Sequence, residues 1–250
     1  MVSFNNYETK ITRELDLEEV LSFTIGLYAE KFPELFTPFL IVGIFNGILF
    51  EELNFSPLSF FFQKMLEQFG VFDVDLSILF LISATWIVFT IAEGFCIKFA
   101  TDTIAIAEKA RVIKALVFTI RKLPKLLIVG IITGLIISVG MQVFVFPGIV
   151  FALFFSLTVP VMIIEETGIL DSFWRSLVLV THGLLKTVLL LLTISVVVVF
   201  FSLMGEAIGF TLNAYRYLTQ SMFLAFVQPL FPIALTLHCY SMRSKETALD

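Results

Sequence analysis

Residues 147–183 read PGIVFALFFSLTVPVMIIEETGILDSFWRSLVLVTHG, and the order of residue types in this stretch decides the fold class. An apolar run broken by Pro160 reaches the acidic pair Glu165-Glu166 and then Gly168. A short amphipathic segment with Asp171, Ser172, Arg175 and Ser176 follows, and a second apolar run begins at Leu184. An apolar run of about 18–20 residues matches a helix crossing a hydrocarbon layer of about 30 Å. Membrane span, acidic turn, interfacial helix and membrane span form the unit that the rest of the chain repeats.

Composition points the same way. Hydrophobic residues make up 58% of the 250, with 30 Phe, and no single soluble core can hide that much apolar surface. The expected fold is all-α: a single polytopic membrane domain over 1–250, with six transmembrane helices plus amphipathic interfacial helices. The acidic residues among the first 31 leave no basic head and apolar core, so no removable signal peptide is expected. The net charge of −5 argues against nucleic acid as a partner, because such binding needs a basic footprint. Cys96 and Cys239 lack the spacing of a redox or zinc motif and read as small core residues.

Helical periodicity places interfacial helices at 16–32, 57–69, 104–122 and 168–182, and spans at about 34–50, 76–98, 125–142, 146–164, 184–204 and 219–240. Asp16 and Glu19 read as a capping box for the first. Pro33 and Pro124 are expected to separate an interfacial helix from its span, Pro160 to kink span four, and Pro229 and Pro232 to bend span six. Lys and Arg number fourteen on the side of the two termini and two on the other, so both termini are expected in the cytoplasm. Leu40–Phe50, LIVGIFNGILF, and Leu127–Ile137, LIVGIITGLII, share six of eleven positions. Each follows an amphipathic helix and a proline, and 168–182 with its two spans gives a degenerate third copy. Three helix-span-span repeats around an axis normal to the membrane are therefore expected.

The ionisable residues carry few chemical options. HExxH, GxSxG, GxGxxG and the P-loop pattern are all missing, and two histidines are too few for a His-rich metal site, so no enzyme, cofactor or metal is expected. Glu93 lies within an apolar span; it either pairs with Lys98 or a neighbouring helix at the inner headgroup level, or couples a proton or solute to transport. Asp171 and Arg175 stand at i, i+4 and either form a local ion pair or leave Arg175, with Ser172 and Ser176, to hold a lipid phosphate. Glu165 precedes that helix, where negative charge favours the N-terminal dipole. Gly43/Gly47, Gly130/Gly134 and Gly205/Gly209 are expected to permit close helix approach, within the chain or between copies. Asn46 reads as an inter-helix hydrogen-bonding residue rather than a ligand.

Pro147, Pro160-Val161, Glu165, Asp171-Ser172, Arg175-Ser176-Leu177 and Thr181 to Gly183 resemble the pattern of the membrane domain fused to some bacterial glycerophosphoryl diester phosphodiesterases, and of the stand-alone YciC-like inner-membrane proteins. The 16–28 helix resembles that family's opening. The resemblance implies a six-helix domain of a prokaryotic cell membrane whose molecular role is undefined. It does not carry over phosphodiesterase activity, which belongs to a separate soluble barrel. The expected function is a non-enzymatic lipid- or amphiphile-binding module or membrane scaffold, with membrane lipids and a protein or a second copy as partners. The alternative is a permease for a small or lipidic solute.

Overall fold

A computed structural model describes residues 14–52, 76–105, 112–143, 145–212 and 215–247. Within them the chain is all-helical, without strands: α1 (Leu17–Glu30), α2 (Phe32–Glu52), α3 (Leu76–Ala105), α4 (Val112–Val143), α5 (Val145–Phe154), α6 (Thr158–Ile164), α7 (Ile169–His182), α8 (Leu184–Leu212), α9 (Arg216–Val227) and α10 (Leu230–Thr247). The expected helix at 57–69 lies outside the described residues. Among the described residues four stretches are long and apolar enough to cross a membrane: Phe32–Glu51, Phe146–Ile164, Leu184–Thr211 and Arg216–Ser244.

The centre of the bundle is α3 against α10. Ala92, Phe95, Cys96, Phe99 and Ala100 from the first meet a core shared with Ile233, Ala234, Leu235, Leu237 and Met242 from the second. The two helices run parallel, because Cys96 lies on Pro229 and Asp102 lies beside Tyr240.

α1 falls within the helix expected at 16–32, and its apolar face packs on protein. It runs along α10 as far as the end of α9, from Leu15, whose N–H donates to Ser241 Oγ at 2.8 Å, to Tyr28, whose hydroxyl donates to Phe226 O of α9 at 2.9 Å. One broad apolar face fits a docked helix and a membrane-lying one equally well. Here Val20, Thr24 and Leu27 are buried against protein. At its start the Asp16 N–H donates to Glu19 Oε2 at 3.1 Å, the capping-box contact read from the sequence.

Pro124 does not separate 104–122 from 125–142. α4 is one helix of 32 residues with Pro124 inside it. Ala115 and Thr119 before the proline and Leu126 and Val129 after it are all buried, and this shared face holds the helix together across the missing backbone hydrogen bond. Span four breaks at 155–157, three residues before Pro160, which occupies the first turn of α6 where its absent N–H has no partner to lose. Phe154 O, freed by that break, accepts from Ser176 Oγ at 2.7 Å. Span six is likewise two helices, interrupted at Gln228-Pro229, and span five extends to Leu212.

The glycines explain how α9 fits. A Cβ on Gly43 would lie 2.9 Å from Ser221 O, and one on Gly47 would lie 2.6 Å from Leu218 Cα. From the other side, Cβ atoms on Gly205 and Gly209 would lie 2.8 Å from Gln220 Cα and 2.9 Å from Arg216 Cα. Two small-residue faces, on α2 and α8, thus clasp one short helix between them. Glu51 completes the clasp by accepting from the Tyr217 N–H at 2.9 Å, capping the start of α9, while Glu206 pairs with Arg216. Gly130 has a different partner, the Trp86 ring at 2.5 Å from its Cβ position, and Gly134 faces open space.

Candidate functional site

Charged side chains converge at the end of the bundle where α6, α7 and α10 meet. The chain turns there between Glu165, which caps the C-terminus of α6, and Gly168, the N-cap of α7, with Glu166 in the left-handed region at φ 51°. Arg175, two turns into α7, sends Nε to Glu165 Oε2 at 3.2 Å. Its Nη1 and Nη2 grip Glu246 of α10 in a fork of 2.6 and 2.5 Å. Arg243 Nε meets the other oxygen of Glu165 at 3.1 Å. Two arginines and two carboxylates therefore alternate in a chain, Arg243–Glu165–Arg175–Glu246, whose formal charges cancel. The hydrogen bonds that Arg175 donates to Glu246 raise the Arg175 pKa, and those same bonds hold the Glu246 carboxyl below its ordinary range.

This arrangement corrects two expectations. Arg175 does not pair with Asp171, which is exposed, because the guanidinium reaches the better-placed carboxylates of α6 and α10. Nor do the serines join it in a phosphate cradle. Ser172 Oγ donates to Gly168 O at 2.6 Å and sits 2.8 Å from Thr167 Oγ1, while Ser176 is taken by Phe154 O; both are buried. Glu246 was invisible in sequence because its partner is 71 positions away and it stands in what reads as a polar tail.

Lys98 also differs from expectation. It pairs with Asp102 at 2.7 Å, one turn on, and sits 4.7 Å over the Phe118 ring. The i, i+4 spacing to Asp102 was the available signal. α3 continues to Ala105, so Glu93 lies five residues, about 7.5 Å, deeper in the bundle than Lys98 rather than at its end. No hydrogen bond or ion pair engages Glu93 among the described residues. Asn46 Oδ1 is buried and has no hydrogen-bond partner.

The cations at this end divide into two sets. Lys122 approaches Glu166 at 3.9 Å, and Lys186 pairs with Glu14 at 2.8 Å and Asp16 at 3.2 Å. Lys114, Arg121 and Lys125 are exposed on α4 with no described carboxylate against them, beside Ile113, Val117 and Ile120, which are 76%, 59% and 52% exposed. On α7 the neighbouring apolar side chains Leu170 and Trp174 are exposed too.

For catalysis the described residues offer little. Thr187 Oγ1 lies 3.0 Å from Gly183 O and 2.8 Å from His238 Nε2, so the hydroxyl and the buried ring are already engaged with each other. No group of three metal-ligating side chains assembles among the described residues. Comparison with family models, with curated proteins and with solved structures found no match to this chain.

Proposed function

We propose that this protein is a six-span membrane module that holds anionic lipid at its basic end and performs no chemistry of its own. The observation that carries the reading is the N-terminal part of α4, where Lys114, Arg121 and Lys125 stand exposed, with no described carboxylate against them, among outward-facing Ile113, Val117 and Ile120. An apolar strip flanked by exposed cations suits the boundary between acyl chains and negatively charged headgroups. Arg175 is not the lipid ligand in this reading, because two carboxylates already neutralise it.

In the full proposal α3 and α4 cross the membrane as well as the four apolar stretches, and both termini face the cytoplasm of a prokaryotic cell. The three units remain part of it. Two contacts link all three in turn: Ser176 of α7 donates to Phe154 O in the second span of the preceding unit, and Tyr28 of α1 donates to Phe226 O in that of the last unit, as a cyclic arrangement would require. A family tie to the membrane domain named above stays a proposal on the 147–183 pattern.

The test is lipid retention in nanodiscs of phosphatidylglycerol or of phosphatidylcholine. Each interfacial cation contributes about 1 kcal/mol of attraction to an anionic surface. Changing Lys114, Arg121 and Lys125 together to Gln is expected to lower retention of phosphatidylglycerol roughly tenfold or more, and salt should do the same to the wild type. Equal retention of both lipids, untouched by the triple change, would sink the reading.

A further inference from the structure

Because α4 continues unbroken through Pro124, Lys125 belongs to the same helix as Lys114 and Arg121. At about 100° per residue, the path from Lys114 to Arg121 falls roughly 20° short of two turns, and that from Arg121 to Lys125 runs roughly 40° past one. The three cations therefore stand in one row on one narrow face. Along the axis they are about 10.5 and 6 Å apart, at a rise of about 1.5 Å per residue. A break at Pro124 would have turned Lys125 onto another axis.

The surroundings of this row leave its charge unbalanced. Arg175 takes Glu165 and Glu246, Lys186 takes Glu14 and Asp16, and Lys98 takes Asp102. Lys114, Arg121 and Lys125 are exposed with no described carboxylate against them. Even Lys122, between them in sequence, has Glu166 only at 3.9 Å. Beside the cations runs a parallel row of exposed apolar side chains, Ile113, Val117 and Ile120.

A phosphate suits the pair one turn apart, because the planar fork of Arg121 and the ammonium of Lys125 can both donate to its oxygens. Lys114 stands two turns from Arg121, so a phosphate held by that pair leaves it unmatched. A second phosphate on the same molecule reaches Lys114 without a second loss of translational freedom, which a separate lipid would incur. The apolar row then takes the chains.

From this row we propose that α4 binds a single lipid bearing two phosphates, the first between Arg121 and Lys125 and the second at Lys114. The proposal rests on the anionic-lipid reading above and adds to it the number and spacing of the charges read.

The test matches charge and varies linkage. The full chain is placed in phosphatidylcholine nanodiscs containing diphosphatidylglycerol, or twice as much phosphatidylglycerol so that the phosphate charge is equal, and the lipid retained on release is read by native mass spectrometry. The wild type is expected to keep the two-phosphate lipid roughly fivefold or more over phosphatidylglycerol, the effect of one further cation contact. Lys114→Gln should erase that preference and leave phosphatidylglycerol retention as it was, because the first phosphate does not need Lys114. Excess inorganic pyrophosphate should leave the lipid in place, since it has no chains for the apolar row. A preference that survives Lys114→Gln, or displacement by pyrophosphate, overturns the proposal. Equal retention of both lipids that is lost in the triple change at Lys114, Arg121 and Lys125 overturns it too, but leaves the anionic-lipid reading standing. Retention of neither lipid takes down both.

Discussion

Gly47→Val is expected to abolish the folded bundle, giving aggregated protein in place of a monodisperse peak after detergent extraction. The first added carbon would sit 2.6 Å from Leu218 Cα, and backbone cannot rotate aside as a side-chain tip can. α9 cannot retreat either, since Gly205 and Gly209 lie so close on the far side that an added Cβ there would stand 2.8 and 2.9 Å from its backbone. Overpacking in a well-filled core costs about 1–3 kcal/mol when neighbours can adjust, and more here, against a total stability of about 5–15 kcal/mol. The control is Gly134→Val, a matching position in the second repeated block. Its Cβ meets nothing within 4 Å, so that variant should extract and elute as the wild type does. Equal behaviour of the two would mean that α9 is not clasped as described.

Arg175→Met is the second large effect. Removal of the guanidinium leaves Glu246 without its fork and Glu165 with Arg243 alone. Stranding a fully buried charge costs about 3–5 kcal/mol. Arg175 is 30% exposed and Glu246 21%, so solvent screening brings the expectation to about 1–3 kcal/mol, or a midpoint lowered by roughly 3–10 °C. The same network sets a pH dependence. Glu246 is held below its ordinary value in the folded chain, so its contribution is complete above the unfolded carboxylate pKa and is lost as pH falls through the lowered one. Acid unfolding of the wild type should therefore steepen in that window, and Arg175→Met should remove that part of the slope. A variant as stable as the wild type at neutral pH would show that the network holds nothing together.

What could be read from the sequence was what local pattern encodes. The capping box at Asp16 and Glu19, the apolar stretches and the close-packing glycines on α2 and α8 each announce themselves within a few residues. Partners distant in sequence did not. Arg175 has a carboxylate four residues away at Asp171, yet it turns to Glu165 and Glu246, because α6 and α10 bring two better-aligned acceptors to it. Lys98 faced two candidates and took Asp102, on its own helical face, over Glu93 five residues back. Proline misled in a consistent way. Local rules put a break at Pro124 and a kink at Pro160, but the buried stripe from Ala115 to Val129 carries α4 through the first, and α6 simply starts just before the second. α1 was legible as a helix with one apolar face, but that pattern does not record what covers the face, and here Val20, Thr24 and Leu27 are buried against protein.

The claim from which lipid binding follows is that the exposed cations of α4, the Arg175 network and both termini share one side of a membrane crossed six times. Labelling with a membrane-impermeant maleimide tests it most directly, in intact and in opened cells. The background is Cys96→Ala/Cys239→Ala, with single cysteines introduced at Glu14, Glu52, Lys114, Glu166, Thr211, Tyr215 and Glu246. The account predicts labelling of the Glu52, Thr211 and Tyr215 positions in intact cells, and of the Glu14, Lys114, Glu166 and Glu246 positions only once the cells are opened. Labelling of the Lys114 position from outside, or of the Glu14 and Glu246 positions on opposite sides, would contradict it.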